Sequence, residues 1–255
     1  MAAPTGAACS KGCSKRWRDR GARCMTAPIV CATCPVADRA VCSVLAPEDR
    51  AELARLGQQR LYARGETIVA AGDANTVCIT LTEGAAKLSS IDRDGTERIV
   101  ALIHPAGMAG QLFAPSATLH VTALTRTAAC VFPADRFAAL VRARPELAQR
   151  LLTELARELD ASRTLIDLIS KRQAKGRVAA LILAFSRAAS PADCHDAERF
   201  DLPLTRGEIA QLLGLTIETV SRTLTALEQG GAIERHGTHG IAIRDRDHLD
   251  QLAAA

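Results

Sequence analysis

The stretch Leu204-Thr-Arg-Gly-Glu-Ile-Ala-Gln-Leu-Leu-Gly-Leu-Thr-Ile-Glu-Thr-Val-Ser-Arg222 carries the local signals of two short helices joined by a tight turn. Thr205 and Glu208 have the spacing of a capping box, in which a hydroxyl and a carboxylate each satisfy a free backbone donor at a helix start. Gly214 can adopt the left-handed conformation that ends this helix, and Thr216 can cap the next one. The stretch therefore predicts a helix-turn-helix.

The second helix of this unit has an apolar and a polar face. The polar face carries side chains that can hydrogen-bond: Glu218, Ser221, Arg222 and Thr225. An arginine can bond guanine O6 and N7 together, a glutamate can accept from a cytosine amino group, and a serine can contact bases or phosphate. We predict that this face enters a DNA major groove. A solvated polar face in a protein-interaction module is the alternative. Gly230-Gly231 ends the helix, and the run to Ile243 predicts a hairpin wing.

The composition of the chain permits nucleic-acid binding without requiring it. The 255 residues can form two domains, and the net charge is +4. The apolar run Val178 to Phe185 is far shorter than the roughly 20 residues of a membrane span, and no apolar signal segment opens the chain. We expect a cytoplasmic protein that does not enter membranes. Without a P-loop, a dinucleotide fingerprint or a nucleophile with its base, we expect no enzyme.

In the middle of the chain, the spacing of the apolar residues changes at Pro133. Before it, residues 61–132 alternate short runs rich in Val, Ile, Thr and Leu with glycines, which is typical of an all-β barrel or jelly roll. After it, apolar residues at steps of four and three predict a long helix with one stripe: Leu151, Leu155, Leu159, Ser162, Ile166 and Ile169. The stripe is narrow enough to pair with a second copy, which predicts a parallel homodimer. Packing of the stripe on its own barrel is the alternative.

The predicted fold is therefore α+β and has several parts. Residues 1–30 are a basic N-terminal arm that we expect to be mobile. Residues 31–143 contain a cysteine-bearing arm and a β-roll, or double-stranded jelly roll, that acts as the sensor domain. Residues 144–171 form the dimerisation helix, and residues 172–255 form a winged helix-turn-helix domain that binds DNA.

Nine cysteines indicate a metal site, because their spacing gives no small disulfide-stapled domain. Cys31, Cys34 and Cys42 can converge on one soft metal centre, but a zinc ion or an iron–sulfur cluster held wholly by protein needs a fourth ligand. Spacing leaves that ligand open among Cys9, Cys13, Cys24, Cys78, Cys130 and Cys194. Without a second Cys-x-x-Cys pair, an iron–sulfur cluster is favoured over zinc. An isolated strand cysteine such as Cys78 or Cys130 is usually a small core thiol.

These motifs resemble the FNR (fumarate and nitrate reduction regulator) branch of the cyclic-AMP receptor protein superfamily, in the subgroup with a Cys-x2-Cys-x7-Cys arm. The resemblance runs from about Cys31 to the C-terminus. It implies one 4Fe-4S cluster per subunit held by Cys31, Cys34, Cys42 and Cys130, since Ala129-Cys-Val-Phe-Pro133 is similar to the family's segment with the fourth ligand. It also implies that the intact cluster favours a homodimer that binds a TTGAT-N4-ATCAA-like palindrome and controls anaerobic gene expression. Oxygen or nitric oxide would break the cluster and weaken dimerisation.

The same resemblance assigns DNA contacts and partners. It assigns the reading of the DNA to Glu218, Ser221 and Arg222, and we add the cap residues Thr205 and Thr216 to the predicted DNA-binding residues. RNA polymerase would contact barrel loops, including the turn from Asp92 to Gly95. Cyclic AMP is not expected, because Gln111 and Val121 lack the charge and donor contacts with which nucleotide-binding relatives hold the phosphate.

Two alternative functions remain open at this stage. The first is a regulator of the same fold that senses nitric oxide or redox state through haem, zinc or reactive thiols. The second, from a different class, is an electron-transfer or catalytic iron–sulfur protein, although no second cluster motif accompanies the first.

Overall fold

The computed structural model describes residues 26–254 except 111, 172 and 190–196. The N-terminal half is a β-roll built from two antiparallel sheets, with strand orders β1-β2-β9-β4-β7 and β3-β8-β5-β6. The strands are β1 (Thr26–Ala27), β2 (Gln58–Tyr62), β3 (Thr67–Val69), β4 (Val77–Glu83), β5 (Ala86–Ile91), β6 (Glu97–Ile103), β7 (Met108–Ala109), β8 (His120–Ala123) and β9 (Thr127–Pro133). Residues 58–143, which form the β-roll without the cysteine-bearing arm, are called the sensor domain below.

Alternation along β4 divides its side chains between two faces of the first sheet. Ile79 and Leu81 point into the roll, where they pack against Val121 of the second sheet. Thr80 lies between them and therefore belongs to the outer face. The tight turn after β4 requires Gly84, which has φ +83° and whose added Cβ would come within 2.5 Å of a backbone oxygen.

A second apolar cluster covers the outer face of the first sheet. Helices α1 (Pro47–Leu56), α2 (Ala134–Ala143) and α3 (Pro145–Ser170) contribute to it. Its buried members are Val41, Leu45, Leu53, Cys78, Phe132, Phe137, Leu140, Val141, Leu147 and Leu151. Proline begins both α1 and α3, where a missing backbone donor costs no hydrogen bond. The cluster ties the start of α3 to the segment that carries the predicted ligands.

Residues 174–254, called the reader domain below, form a winged helix-turn-helix. Its elements are α4 (Ala174–Ala189), β10 (Arg199–Asp201), α5 (Arg206–Leu213), α6 (Ile217–Gln229), β11 (Ile233–His236), β12 (Gly240–Ile243) and α7 (Arg246–Ala254). The wing is a three-stranded sheet of order β10-β12-β11, so β10 is an addition to the predicted hairpin. Helix α7 was also not predicted. It packs so closely on α4 that a Cβ at Gly176 would lie 2.8 Å from the Leu252 carbonyl oxygen.

The sensor and reader domains share one continuous apolar cluster. Ala85, Ile99 and Leu124 of the β-roll are buried in the same cluster as Phe185 of α4 and Ile209 of α5. The predicted α+β class, with a β-roll, a long helix and a C-terminal helix-turn-helix, is confirmed. Among the helices of the described residues, none is long and apolar enough to cross a membrane.

Candidate metal centre and nucleic-acid interface

The cysteine-bearing arm, residues 28–46, crosses the outer face of the first sheet. It contains two short 3-10 turns, Cys31–Thr33 and Val41–Val44, which are closed by backbone hydrogen bonds and have no side-chain cap. Val36, Ala40 and Val41 anchor the arm by burying their side chains almost completely. The arm thereby carries its three thiols across the strand that contains Cys130.

A cavity of about 660 Å³ lies between the arm and the sheet, and all four predicted ligands line it. Cys31, Cys34 and Cys42 come from the arm, and Cys130 comes from β9. Cys78 does not line this cavity and is a buried member of the second apolar cluster, as the core-thiol interpretation expects. The other candidates for a fourth ligand, Cys9, Cys13, Cys24 and Cys194, lie outside the described residues.

Burial favours the protonated form of three cavity thiols, Cys31, Cys42 and Cys130. It raises the pKa of Cys31 and Cys42, and neighbouring thiols raise these values further, while the nearby Arg50 guanidinium lowers them in part. Burial and the three arm thiols raise the pKa of Cys130 to about 12. A metal centre that binds thiolates here would therefore release protons as it binds.

The four thiols that line the cavity are a donor set that a four-thiolate cluster could use. Four thiolates on one zinc ion would each have to lie about 2.3 Å from one point, whereas a 4Fe-4S cluster offers its irons to four separate thiolates. Within residues 26–254, leaving aside the undescribed positions, no three Cys, His, Asp or Glu side chains are grouped to hold one metal ion. The four thiols instead surround a shared space with largely apolar walls, including Val36, Leu53 and Phe132.

The arm is joined directly to the long helix α3. The Arg150 guanidinium donates a 2.5 Å hydrogen bond to the Arg39 carbonyl oxygen of the arm and pairs with Glu154 at 2.6 Å. Val41 of the arm and Leu151 of α3 are buried in the same apolar cluster. A change in the position of the arm must therefore disturb the first turns of α3.

The exposed stripe of α3 passes through Leu152, which corrects the assignment of Leu151 to the dimer seam. Leu151 is 9% exposed and packs in its own chain, as the alternative for the stripe expected, whereas Leu152 is 67% exposed. Two adjacent leucines left the sequence pattern ambiguous at this point. The rest of the stripe is Leu155, Leu159, Ser162, Ile166 and Ile169, whose leucines and isoleucines are all exposed. With Leu152 the steps alternate regularly between three and four residues.

The helix-turn-helix is closed by the caps that the sequence indicates. The Thr205 hydroxyl accepts from the Glu208 backbone N–H at 3.2 Å, and the Glu208 carboxylate accepts from the Thr205 backbone N–H at 2.7 Å. The Thr216 hydroxyl accepts from the Thr219 backbone N–H at 3.1 Å. Gly214 ends α5 in the left-handed conformation with φ +63°. Both predicted DNA-contacting threonines thus hold the starts of the two helices.

The polar face of α6 is open to solvent. Arg222 donates a 2.6 Å hydrogen bond to Glu218 one helical turn earlier, and both side chains are more than two-thirds exposed. The Ser221 hydroxyl accepts a 3.4 Å hydrogen bond from Arg206 in the first turn of α5. Sequence reasoning missed Arg206, whose only signal is its position directly after the cap residue Thr205. These side chains form one polar surface free to meet a DNA groove.

A polar clamp holds the start of α5 on the sensor domain. The Arg64 guanidinium donates to the Leu124 carbonyl oxygen in the β-roll, and it reaches across the domain boundary to the Pro203 carbonyl oxygen at 3.4 Å and Glu208 at 2.7 Å. Beside this clamp, burial would raise the pKa of Glu97, but hydrogen bonds from Lys87 and from Gln211 of α5 outweigh it and leave that pKa lowered. The orientation of the reading helix is therefore tied to the β-roll.

Comparison with known proteins assigns the two domains. Residues 59–144 match the family model of the cyclic nucleotide-binding domain, and residues 176–252 match that of the Crp-like helix-turn-helix domain. The solved structure of FixK2 from Bradyrhizobium japonicum has a TM-score of 0.71 and 27% sequence identity, and the match covers 78% of this chain and 98% of that one.

Two curated relatives extend the match over most of the chain. The transcriptional activator protein FnrL of Cereibacter sphaeroides is 33% identical over 218 residues, which cover 84% of this chain and 88% of FnrL. The nitrogen fixation regulation protein FixK of Bradyrhizobium diazoefficiens is 34% identical over 226 residues, which cover 88% of this chain and 94% of FixK. These relatives are named as regulators and not as enzymes. The chain therefore belongs to the CRP/FNR family of DNA-binding transcriptional regulators, a family that acts as dimers.

Proposed function

We propose that this regulator responds to oxygen, and also to nitric oxide, through one 4Fe-4S cluster per subunit held by Cys31, Cys34, Cys42 and Cys130. The observation that carries the proposal is the shared cavity: three thiols of a separate arm and one thiol of a β-strand surround it. When bound, such a cluster would supply an oxygen-reactive centre whose ligands come from both the arm and the sheet.

The packing of the arm on α3 suggests how a signal travels. With the arm in place, Val41 and Leu45 cover Leu147 and Leu151 in one apolar cluster, and Arg150 is bonded to the arm backbone. An arm released from the sheet would take these contacts away from the first turns of α3. By linkage, if the cluster stabilises the dimer, dimerisation stabilises the cluster by the same free energy.

We further propose that the stripe of α3 pairs two copies in parallel. Leu155, Leu159 and Ile166 are exposed apolar side chains at the spacing of a coiled-coil seam, and burial against a second copy would remove them from water. Two parallel copies present two reading helices related by a two-fold axis, which suits an inverted repeat. Glu218, Ser221 and Arg222 would read the TTGAT-N4-ATCAA-like palindrome.

Two further partner assignments belong to this proposal. Although the β-roll matches a cyclic nucleotide-binding domain, we propose that no cyclic nucleotide acts here, because the apolar Val121 is buried where a phosphate would need a donor. Gln111, the other residue behind this assignment, lies outside the described residues. The turn between β5 and β6, where Asp92 pairs with Arg98 at 3.0 Å, is our proposed contact for RNA polymerase.

The decisive experiment is anaerobic purification followed by iron, sulfide and zinc analysis. Binding to a TTGAT palindrome is then titrated before and after air is admitted, with dimerisation followed by ultracentrifugation. We expect four irons per chain, and weaker dimerisation and DNA binding after exposure to air. Zinc, haem or no metal, with binding indifferent to air, would contradict the cluster and favour a thiol- or haem-based sensor of the same fold.

A further inference from the structure

Two threonine hydroxyls beside the thiol cavity lack a hydrogen-bond partner in the part of the chain that the structure describes. Thr80 and Thr82 line the cavity and are 3% and 4% exposed. The Oγ1 atoms of both are buried and find no hydrogen-bond partner among the described residues. Buried hydroxyls are nearly always bonded, so two unpaired ones at the wall of one cavity call for an acceptor.

Strand register brings these hydroxyls to the ligand thiols. Strands β4 and β9 are antiparallel neighbours, and Thr80 stands directly opposite Cys130. Directly opposed residues have Cβ atoms about 4.5–5.5 Å apart, which lets a threonine hydroxyl reach a cysteine sulfur. The register shifts between Leu81 and Glu83, so Thr82 sits at a β-bulge on the same wall. The inward-facing neighbours Ile79 and Leu81 are apolar, which sets the two threonines apart as residues of the cavity side.

We propose that Thr80 and Thr82 are positioning residues that donate hydrogen bonds to the sulfur atoms of the metal centre, with Cys130 as the nearest acceptor. The proposal rests on the cluster proposed above. A protonated thiol is a weak acceptor, whereas a metal-bound thiolate carries negative charge that a hydroxyl can stabilise. A bound thiolate would give both buried hydroxyls the acceptor that they lack among the described residues. Hydrogen bonds to cluster sulfurs favour the more negative, reduced form, and they therefore raise the reduction potential and oppose oxidation.

The test compares Thr80→Val with Thr80→Ser in protein purified without oxygen. Valine keeps the shape of threonine and removes the hydroxyl, and serine keeps the hydroxyl, so the pair separates hydrogen bonding from packing. Iron and sulfide content, the midpoint potential and the rate of absorbance loss in air are measured. We expect Thr80→Val to retain iron, to have a more negative potential and to lose absorbance about tenfold faster, while Thr80→Ser resembles the wild type.

Thr82→Val should shift the same two readouts in the same direction, and Thr122→Val serves as a control because Thr122 lies on β8 and does not line the cavity. If the wild type contains four irons per chain but Thr80→Val has an unchanged potential and unchanged air sensitivity, the inference is wrong and the proposed cluster stands. Wild-type protein without iron and sulfide would overturn the proposed cluster and this inference together. Loss of iron from Thr80→Val and Thr80→Ser alike would assign Thr80 to packing and also contradict the inference.

Discussion

The reader domain and the cysteine-bearing arm are stabilised in opposite ways. In the reader domain, the starts of α5 and α6 are each closed by a threonine that bonds to the residue three positions later, so this part of the fold is determined by residues close together in the sequence. The turns of the arm have no side-chain caps, and the Arg150 hydrogen bond that holds the arm joins residues 111 positions apart. A preformed DNA-reading surface is thus combined with a sensor segment whose position depends on distant contacts, which makes the arm the part that a signal can move.

Removing one cavity thiol should give the largest effect. It should release the arm from the sheet and leave the reader domain folded. We expect Cys130→Ala to lower the iron content to less than about one per chain and to abolish air-sensitive DNA binding, because the cluster loses its only strand ligand. Cys78→Ala is the matched control on the neighbouring strand, with near-normal iron and a loss of about 1 kcal/mol in unfolding free energy from a small core void. Iron analysis and denaturant unfolding distinguish them. Normal iron in Cys130→Ala would instead point to a ligand outside the described residues.

A charge in the α3 stripe should separate the two copies while leaving each chain folded. Leu159 is half exposed and makes no contribution to the core, so Leu159→Asp leaves the monomer intact. Two such charges buried across a two-fold seam should weaken dimerisation by about 100-fold or more. Sedimentation equilibrium measures this. Thr164→Asp, on the opposite face of the helix, should leave dimerisation unchanged, and an equal loss in both variants would argue against the stripe as the seam.

The contrast between the domains also explains which predictions succeeded. The capping box at Thr205 and the left-handed Gly214 follow from residues within a few positions of each other, so the sequence was sufficient to predict them. The choice between Leu151 and Leu152 depends on what packs against α3, and neither the Arg150 bond nor the unpaired hydroxyl of Thr80 has any local signal. Such contacts arise only when distant segments meet. The family resemblance supplied Cys130 as the proposed fourth ligand, which spacing alone left open and which remains a prediction.

Loss of Arg222 should test the reader domain independently of the arm. Arg222→Ala removes the side chain best suited to read guanine, and we expect a loss of about 1–3 kcal/mol in binding to the palindrome. The exposed Arg136 of α2 provides the control, since Arg136→Ala removes the same charge far from the reading face. Fluorescence titration at fixed salt, on the palindrome and on a site with its guanines replaced, measures specificity. An equal loss on both DNAs would indicate a phosphate contact and not base reading.

The Arg64 clamp joins the reader domain to the β-roll on which the arm lies, and its removal should give an intermediate effect. We expect Arg64→Ala to weaken palindrome binding by about fivefold to tenfold, because α5 loses its anchor on the β-roll and Glu208 keeps an unpaired charge near the DNA. Glu208→Gln removes that charge and preserves the capping box. In the Glu208→Gln background the effect of Arg64→Ala should therefore fall below about threefold. DNA titration measures this double-mutant cycle. If the effects of the two substitutions are additive, Arg64 and Glu208 are not coupled and the prediction is wrong.

The smallest expected effect concerns the Asp49–Arg144 pair, another contact between residues far apart in the sequence. Arg144, just before α3, donates hydrogen bonds of 2.7 and 2.6 Å to the Asp49 carboxylate of α1. These bonds hold the pKa of Asp49 below its ordinary value of 3.8. Because the folded pKa is below the unfolded one, the stabilisation is complete above about pH 4 and is lost as the pH falls through the folded value.

Asp49→Asn should therefore lower the Tm of the metal-free protein slightly and equally between pH 7 and pH 5, and the difference from the wild type should shrink below about pH 4. Thermal unfolding followed by circular dichroism at each pH measures it. Asp135→Asn is the control, because the Asp135 carboxylate is 80% exposed and lies 3.9 Å from its nearest cation. A constant difference at every pH would mean that Asp49 acts through packing and not through its charge. A difference that shrinks as predicted would show that the charge of Asp49 stabilises the packing of α1 against the start of α3. This contact joins residues far apart in the sequence, unlike the caps of the reader domain.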